Sequence, residues 1–332
     1  MRIYGFNPSA LPLRAVLLSA GVNCILFTNS SRILDSLSTF ITTGPSSDRS
    51  LELEVFVDPT LKRVPDAPIY FRGLRHLVFA ILSPGETFVF DLLRRRITGV
   101  VSAETARDKS FWATRMVPLI LGFMGITVGL VPLHCACLDL DGDGLLLGGV
   151  SLSGKSTLAV SLTRRGFALV SDGWTYLSKA SGGELTAHGI AGPVKLLPDA
   201  PQFFPELRGS KPARAFNGEI ALEVDPREAL NAAVHSESRP RWLVILDRSQ
   251  NGASEILPLS EEEVRDFLFA SVEILPPPLE NLAEARSQLI MALSRIECWK
   301  MQYGGSPHAA AEMIHRFCKG SRFASVANCA VS

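Results

Sequence analysis

The stretch Gly149-Val150-Ser151-Leu152-Ser153-Gly154-Lys155-Ser156 decides the predicted fold, because it matches the phosphate-binding pattern G-x-x-x-x-G-K-[ST]. Glycines let the backbone curl so that its N–H groups can point at phosphate oxygens. The lysine of this pattern reaches the β- and γ-phosphates, and the next hydroxyl binds Mg²⁺. We therefore predict a nucleotide site formed by Gly149, Val150, Ser151, Leu152, Ser153, Gly154, Lys155, Ser156 and Thr157.

The segments on both sides of this loop have the periodicity that the motif requires. The apolar run 145–147 (LLL) is typical of a buried strand. Residues 157–165 carry apolar side chains at helical spacing, and Gly166 stands where a helix would end. The loop is thus predicted to join a strand to a helix.

The chain before the loop predicts an antiparallel hairpin. Residues 134–140 (HCACLDL) are interpreted as a strand, and 141–144 (DGDG) are a strong tight-turn signal. A doubly wound nucleotide-binding domain would usually lead into the loop from a βαβ unit instead. After the loop's helix, residues 167–170 predict a strand that leads into Asp172.

This ordered set resembles the HPr kinase/phosphorylase family and its relatives, including the kinases of lasso-peptide gene clusters. The resemblance is carried by His134 before the hairpin, by the loop ending in Lys155-Ser156, and by Arg165-Gly166 followed by a strand ending in Asp172. It implies an α/β fold: a P-loop kinase domain of HPr-kinase/PEP-carboxykinase-like type with a mixed sheet, and a smaller N-terminal α/β domain. A weaker resemblance to the lasso-type relatives extends through residues 197–207 (LPDAPQFFPEL).

Two positions depart from the family pattern. The family usually has two aspartates at the strand end, and Gly173 stands in place of the second. Thr157 replaces the glutamate that follows the loop serine in true HPr kinases. These differences argue against HPr as the substrate.

Candidate catalytic residues are Asp172, His134 and Lys155, and candidate metal ligands are Ser156 and Asp172. Asp172 could orient or deprotonate an attacking hydroxyl, bind Mg²⁺, or belong to a plain surface turn. His134 could tune that carboxylate, or be a core histidine with its hydrogen bonds satisfied. Asp247 follows an apolar strand and imitates a Walker B aspartate, but ranks below Asp172 because of the hairpin.

Composition narrows the class of protein. The chain has 332 residues with 33 basic and 33 acidic side chains, so no broad basic field indicates nucleic acid. The six cysteines are scattered without a Cys-x-x-Cys pair, which favours buried thiols and a reducing cytoplasm. Residues 116–133 are long and apolar, but their glycines and prolines favour a buried helix over a membrane span.

We predict two domains, 1–110 of unknown role and 111–332 binding the nucleotide. In the first, 2–6, 51–57, 87–92 and 97–101 are interpreted as strands, the last two as a hairpin turning at Arg94-Arg95-Arg96. That triple arginine suits an acidic peptide, a phosphate or a solvated turn. In the second, 220–224 and 242–246 predict strands, and helices are predicted from Ser260, over 279–298 after the prolines at 276–278, and from Ser306 to about residue 317 before a loose tail.

The sequence thus predicts an ATP-dependent, Mg²⁺-requiring kinase. By resemblance the acceptor is a serine, in a peptide or protein or as a small molecule, with neither nucleic acid nor membrane as partner and with a homo-oligomer left open. The rival interpretation is an ATP-binding regulatory or peptide-handling protein whose kinase activity has decayed, and Gly173 favours it. Lys195 and Arg248 could steady phosphate charge, while Asp139, Asp141 and Asp143 imitate a calcium loop that lacks its glutamate at Val150.

Overall fold

The computed structural model describes residues 11–43, 48–64, 68–180, 182–190, 192–214, 219–248, 254–272 and 282–329, without the side chains of 214 and 322–329. The chain divides into two compact units. The first comprises the chain up to Val131 and the segment 273–287, and the second comprises Pro132–Val272 and Gln288–Ser332. The strand predicted at residues 2–6 and the prolines at 276–278 lie outside the described residues.

The first unit contains an eight-stranded mixed sheet in the order β3-β1-β2-β4-β8-β7-β6-β5. β4 is parallel to both β2 and β8, and the other pairs are antiparallel. β4, β7 and β8 alternate buried and exposed side chains, as their period-two sequences predict. The strands are β1 (Leu13–Ser19), β2 (Val22–Thr28), β3 (Ile41–Thr42), β4 (Ser50–Val57), β5 (Tyr70–Leu74), β6 (Leu77–Ser83), β7 (Glu86–Asp91) and β8 (Arg96–Val101).

Before Val131 the described α-helices of this unit are α1 (Ser31–Ser36), α2 (Ala103–Arg107), α3 (Lys109–Phe111) and α4 (Val117–Met124). The Trp112 ring stands edge-on to Phe88 at 6.0 Å, and Phe123 contacts Phe71 and Phe90. These aromatic contacts hold residues 111–131 on the first sheet. The boundary predicted near residue 110 therefore moves to Val131.

The predicted buried helix in the apolar segment is present as α4. Its inward side chains, including Leu121 and Met124, are almost fully buried. The stretch Lys109–Val128 is long and apolar enough to cross a membrane by length and composition, and 56% of its apolar 18-residue core segment is buried within the structure. A π turn at Trp112–Met116 and a 3-10 turn at Gly125–Val128 flank α4. The mostly buried core helix of a soluble protein can have the same length and apolar composition.

The second unit is built on a nine-stranded mixed sheet whose main path runs β12-β10-β11-β18-β14-β13-β9, with β20 beside β18 and β19 beside β20. The strands are β9 (Val131–Leu133), β10 (Ala136–Leu140), β11 (Asp143–Gly148), β12 (Ala168–Ser171), β13 (Thr175–Lys179), β14 (Leu185–His188), β18 (Glu237–Arg248), β19 (Glu255–Pro258) and β20 (Glu297–Tyr303). A small sheet holds β15 (Val194–Leu196), β16 (Ala213–Arg214) and β17 (Ile220–Val224).

The order of strands brings three carboxyl ends to one edge of this sheet. β11 is parallel to β18, and β18 is parallel to β20. β10 pairs antiparallel with β11 across the turn at Asp141-Gly142, so an antiparallel hairpin precedes the loop. The loop at 149–154 leaves the carboxyl end of β11, beside the ends of β18 and β20.

The α-helices that follow the loop are α5 (Lys155–Thr163), α6 (Pro226–Leu230), α7 (Glu261–Ala270), α8 (Ala283–Leu293) and α9 (Pro307–Cys329), of which α8 spans the division between the two units. The core cluster joins Leu158 and Leu162 of α5 to Trp242 of β18 and Ile314 of α9. Ser260 forms the predicted capping box of α7. Gly166 follows α5 at φ +89°, as a helix-ending glycine should.

Three sequence predictions in this unit are wrong. His134 and Cys135 lie between β9 and β10 rather than inside a strand. The helix predicted over 279–298 ends at Leu293 in the described residues, and Cys298 belongs to β20. The tail predicted to be loose after Ser321 continues α9 to Cys329. Ser321 anchors that continuation, because its Oγ accepts the indole N–H of Trp242 at 2.9 Å.

Candidate functional site

The loop between β11 and α5 depends on backbone conformations that favour glycine. Gly149 has φ +141° and Gly154 has φ +91°. A Cβ at Gly149 would lie 2.6 Å from Ser153 Oγ and 2.9 Å from the carbonyl oxygen of Leu246. The loop therefore closes tightly on itself and on the end of β18, and no side chain fits at this position.

Lys155 begins α5 and turns back over the loop. Its Nζ donates to the carbonyl oxygens of Gly149 at 2.8 Å and Val150 at 3.0 Å. Burial lowers the pKa of this ammonium, while the Asp172 carboxylate acts in the opposite direction. A cation is thus held at the centre of the curl, where a phosphate would compete with the two carbonyls for it.

Tyr303, at the end of β20, clamps the loop from outside. Its hydroxyl donates to the carbonyl oxygen of Ser153 at 2.5 Å, across 150 residues of sequence. A Cβ at Gly154 would overlap the Tyr303 hydroxyl oxygen. Burial raises the pKa of this phenol, so it remains a donor at neutral pH. The sequence analysis missed this residue, although Trp299, Met301 and Tyr303 alternate as in a half-buried strand.

Asp172 follows β12 and reaches toward the start of α5. Its Oδ2 accepts the backbone N–H of Lys195 at 3.2 Å, and its Oδ1 is buried without a hydrogen-bond partner. Burial raises the pKa of this carboxyl, although the Ser156 hydroxyl, the Lys195 N–H and the Lys155 charge all lower it. The predicted pair of metal ligands, Ser156 and Asp172, is therefore brought together.

Gly173 adopts a left-handed conformation with φ +85°. A Cβ there would meet no atom within 4 Å, so the restriction comes from the backbone and not from space. Any L-residue at this position is strained, and Asp or Asn tolerates the conformation better than most. Position 173, where the resembled family usually has its second aspartate, therefore lies in a turn whose backbone conformation favours glycine.

His134 lies near the site but makes a different contact from the one predicted. Its half-buried ring stands 5.2 Å from the Trp174 ring at an angle of 38°. Burial, with help from the Lys155 charge, lowers the pKa of this imidazole, which favours its neutral form. No hydrogen bond joins His134 to Asp172 in the part of the chain that the structure describes.

The remaining candidates are engaged elsewhere. Asp247 forms an ion pair with Lys300 at 2.8 Å, and the Lys195 ammonium lies 3.6 Å from Glu223, so Lys195 supports Asp172 through its backbone. Asp139 accepts the Ser238 hydroxyl, and Asp143 pairs with Arg241 at 3.0 Å. These contacts give the two hairpin aspartates structural roles.

Buried polar atoms without partners show what the site could bind. Besides Asp172 Oδ1, the Ser153 hydroxyl oxygen is buried in the loop without a hydrogen bond. An orphaned hydroxyl, a buried ammonium and a curled glycine backbone fit a phosphate chain. The described residues contain no group of three or more His, Cys, Asp or Glu side chains that could hold a metal. A small number of protein ligands is compatible with Mg²⁺, because this ion is usually bound through one or two side chains together with phosphate oxygens and water.

Comparisons with known proteins yield a likeness to solved structures but none to a family model or a curated protein. No protein-family model matches the chain, and no curated protein matches it. Among solved structures, the chain is similar to the Hpr(Ser) kinase/phosphatase from Coxiella burnetii, with 16% identity, a TM-score of 0.35, and coverage of 60% of this chain and 95% of that one. The likeness is a distant one of fold, and it does not single out the lasso-peptide relatives.

Proposed function

We propose that this chain is an ATP-dependent, Mg²⁺-requiring kinase that transfers the γ-phosphate to a hydroxyl group, a serine of a peptide or protein. The observation that carries the proposal is the convergence of Asp172 with Lys155 and Ser156 at the mouth of the glycine loop. An anion-binding loop alone would support nucleotide binding. A buried carboxylate oxygen without a hydrogen-bond partner, on a side chain whose charge acts on Lys155, adds a group that can act on an acceptor.

Each residue has a role set by its position. The loop amides and Lys155 would hold the phosphates, and the Ser156 hydroxyl with Asp172 would bind the cation, which neutralises charge on the phosphates when bound. Asp172 would also hydrogen-bond the acceptor hydroxyl and accept its proton. Phosphoryl transfer depends mainly on position and charge stabilisation, so one oriented carboxylate suffices. The raised pKa of Asp172 makes it a better proton acceptor than an ordinary aspartate.

The acceptor and setting extend the proposal beyond the site. The resemblance to lasso-type kinases favours a ribosomally made precursor peptide as acceptor, and the described cysteines, which are free thiols and mostly buried, suit the cytoplasm. The second candidate function is an ATP-binding regulatory protein without transfer activity. Gly173 favours it, because the site then has one carboxylate where the resembled family has two.

Single-turnover transfer decides between the two functions. The chain is mixed with γ-labelled ATP, Mg²⁺ and a library of peptides that place serine between randomised flanks, and phosphopeptides are counted by mass. We expect transfer, and a rate about 10²-fold or more lower in Asp172→Asn at unchanged ATP affinity. The matched control is Asp35→Asn, which makes the same change at an exposed position of α1.

The outcomes separate cleanly. Equal rates in the parent and in Asp172→Asn would make Asp172 structural and refute the mechanism. ATP binding without transfer to any peptide, protein or small hydroxyl compound would favour the regulatory function. Absence of ATP binding by the folded parent would refute both.

A further inference from the structure

The first unit exposes an apolar sheet edge at β5. All five of its residues are exposed, and Tyr70, Phe71 and Leu74 retain 65%, 45% and 59% of their accessible surface. Ile81 of β6, directly opposite Tyr70, is 40% exposed. Among the described residues β5 pairs with β6 alone. One row of its backbone N–H and C=O groups therefore has no described strand beside it, an arrangement that natural sheets usually avoid on an apolar edge.

Charge at this edge defines what could pair with it. Arg72 is the central residue of β5, and its side chain shares a face with Tyr70 and Leu74 because strand side chains alternate. The β5–β6 turn continues with exposed Arg75. The β7–β8 turn lies beside it, since the Leu92 N–H donates to the His76 carbonyl oxygen at 3.0 Å.

That second turn adds exposed Arg94 and Arg95. Both turns place an arginine in the left-handed region, Arg75 at φ +53° and Arg95 at φ +56°, where glycine or asparagine is usual. The turn also borders a shallow cavity of about 460 Å³ lined by residues 94–96 and 50–52 with Ile25. One end of the exposed edge is therefore strongly basic.

A second copy of this chain is a poor occupant. Antiparallel pairing of two β5 strands over all five residues would place Arg72 directly opposite Arg72 of the second copy. Like charges opposite one another destabilise a strand pair.

We infer that β5 binds an extended acidic peptide by strand addition, with an acidic residue opposite Arg72, apolar residues opposite Tyr70 and Leu74, and further acidic residues near Arg75. Backbone hydrogen bonds to the free edge would supply affinity, and the alternate side chains would supply specificity. Binding itself is independent of the kinase site. That this peptide is the phosphate acceptor rests on the proposed function.

The probe is a fluorescein-labelled peptide, Asp-Glu-Val-Thr-Glu-Thr-Val-Thr, titrated into the full chain without nucleotide and followed by fluorescence anisotropy. In antiparallel register its second glutamate meets Arg72. We expect saturable binding that Arg72→Glu weakens about five-fold, the scale of an exposed ion pair turned into a repulsion. A probe with lysine in place of that glutamate should instead prefer Arg72→Glu. Arg14→Glu, the same change at an exposed position of β1, should leave both affinities unaltered.

A backbone-modified probe tests strand addition on the unaltered chain, so the result does not depend on a variant folding. N-methylation of alternate residues removes peptide donors while keeping the side chains, and should lower affinity about ten-fold or more. Equal binding of the methylated probe, indifference to the charge at residue 72, or no saturable binding would overturn the inference. A dimer of the unaltered chain whose dissociation constant changes in Arg72→Glu would also overturn the inference, because a second copy would then occupy β5. ATP calorimetry on the same samples keeps a failure here distinct from a failure of the nucleotide site.

Discussion

Removing one oxygen atom from the clamp on the loop should weaken nucleotide binding without unfolding the chain. Tyr303→Phe keeps the ring in the core cluster and deletes the hydroxyl that donates to the Ser153 carbonyl at 2.5 Å. Ser153 is 3% exposed, so its carbonyl would lose its donor with little access to water. A buried acceptor left in this state costs about 1–3 kcal/mol.

The magnitude of the binding effect follows from how the loop responds. If the loop relaxes in the free variant to hydrate that carbonyl, the nucleotide must restore the closed form, and the dissociation constant rises accordingly. A cost of about 1.4 kcal/mol corresponds to a ten-fold weaker affinity. We expect ATP affinity to fall about 5- to 50-fold by calorimetry. Tyr70→Phe, which removes an exposed phenol oxygen, is the control.

A double substitution tests the geometry directly. In Gly154→Ala the new methyl group would overlap the Tyr303 hydroxyl oxygen but lie 3.4 Å from Cζ. Combining it with Tyr303→Phe should relieve the overlap and leave only the left-handed strain at φ +91°, roughly 1 kcal/mol. The double variant should therefore be more stable than the sum of the single effects. Additive losses, or full ATP affinity in folded Tyr303→Phe, would refute the clamp.

Three further predictions concern the other side of the site. Lys155→Ala should abolish detectable ATP binding in calorimetry and leave the chain folded, because relief of a buried ammonium partly offsets the loss of its hydrogen bonds to the Gly149 and Val150 carbonyls. Gly173→Asp should lower the free energy of unfolding by about 1 kcal/mol and so lower the unfolding temperature. Gly173→Asn should lose a similar amount, because the strain at φ +85° and not the charge sets the cost. Burial raises the pKa of Asp172 above its ordinary 3.8, so the folded chain binds this proton more tightly than the unfolded chain and loses stability as pH rises through the folded value. The stability of Asp172→Asn relative to the parent should therefore increase as the pH rises from the ordinary pKa of 3.8 through the folded pKa, and a constant difference in calorimetric midpoints would contradict the burial of that carboxyl.

The parts of the site that the sequence predicts are those that local chemistry determines. The loop is recognisable because its glycines and Lys155 must follow one another at fixed spacing, and Leu158 and Leu162 mark the helix by period. Tyr303 could not be found in this way, since β20 reaches the loop only through its parallel pairing with β18, which no local pattern encodes. The alternation of Lys300 and Gln302 with Met301 and Tyr303 does indicate a strand, but the helix predicted over 279–298 covered the start of β20.

Asp172 shows how a predicted residue can take its properties from a partner that was not predicted. The sequence places this carboxylate after a strand, and its orientation then depends on the Lys195 N–H from a separate small sheet. One oxygen is thereby fixed and the other left buried and unpartnered. Burial raises the pKa of the Asp172 carboxyl and lowers the pKa of the Lys155 ammonium, so it favours the neutral form of both groups. The attraction between the two charges acts in the opposite direction on both pKa values. A phosphate bound beside this pair would place negative charge next to the Lys155 ammonium. It would then compete with the Asp172 carboxylate for that ammonium. Nucleotide binding without a cation should then raise the pKa of Asp172 further, and a bound Mg²⁺ should lower it, so the cation increases the fraction of Asp172 in the ionised form that can accept a proton.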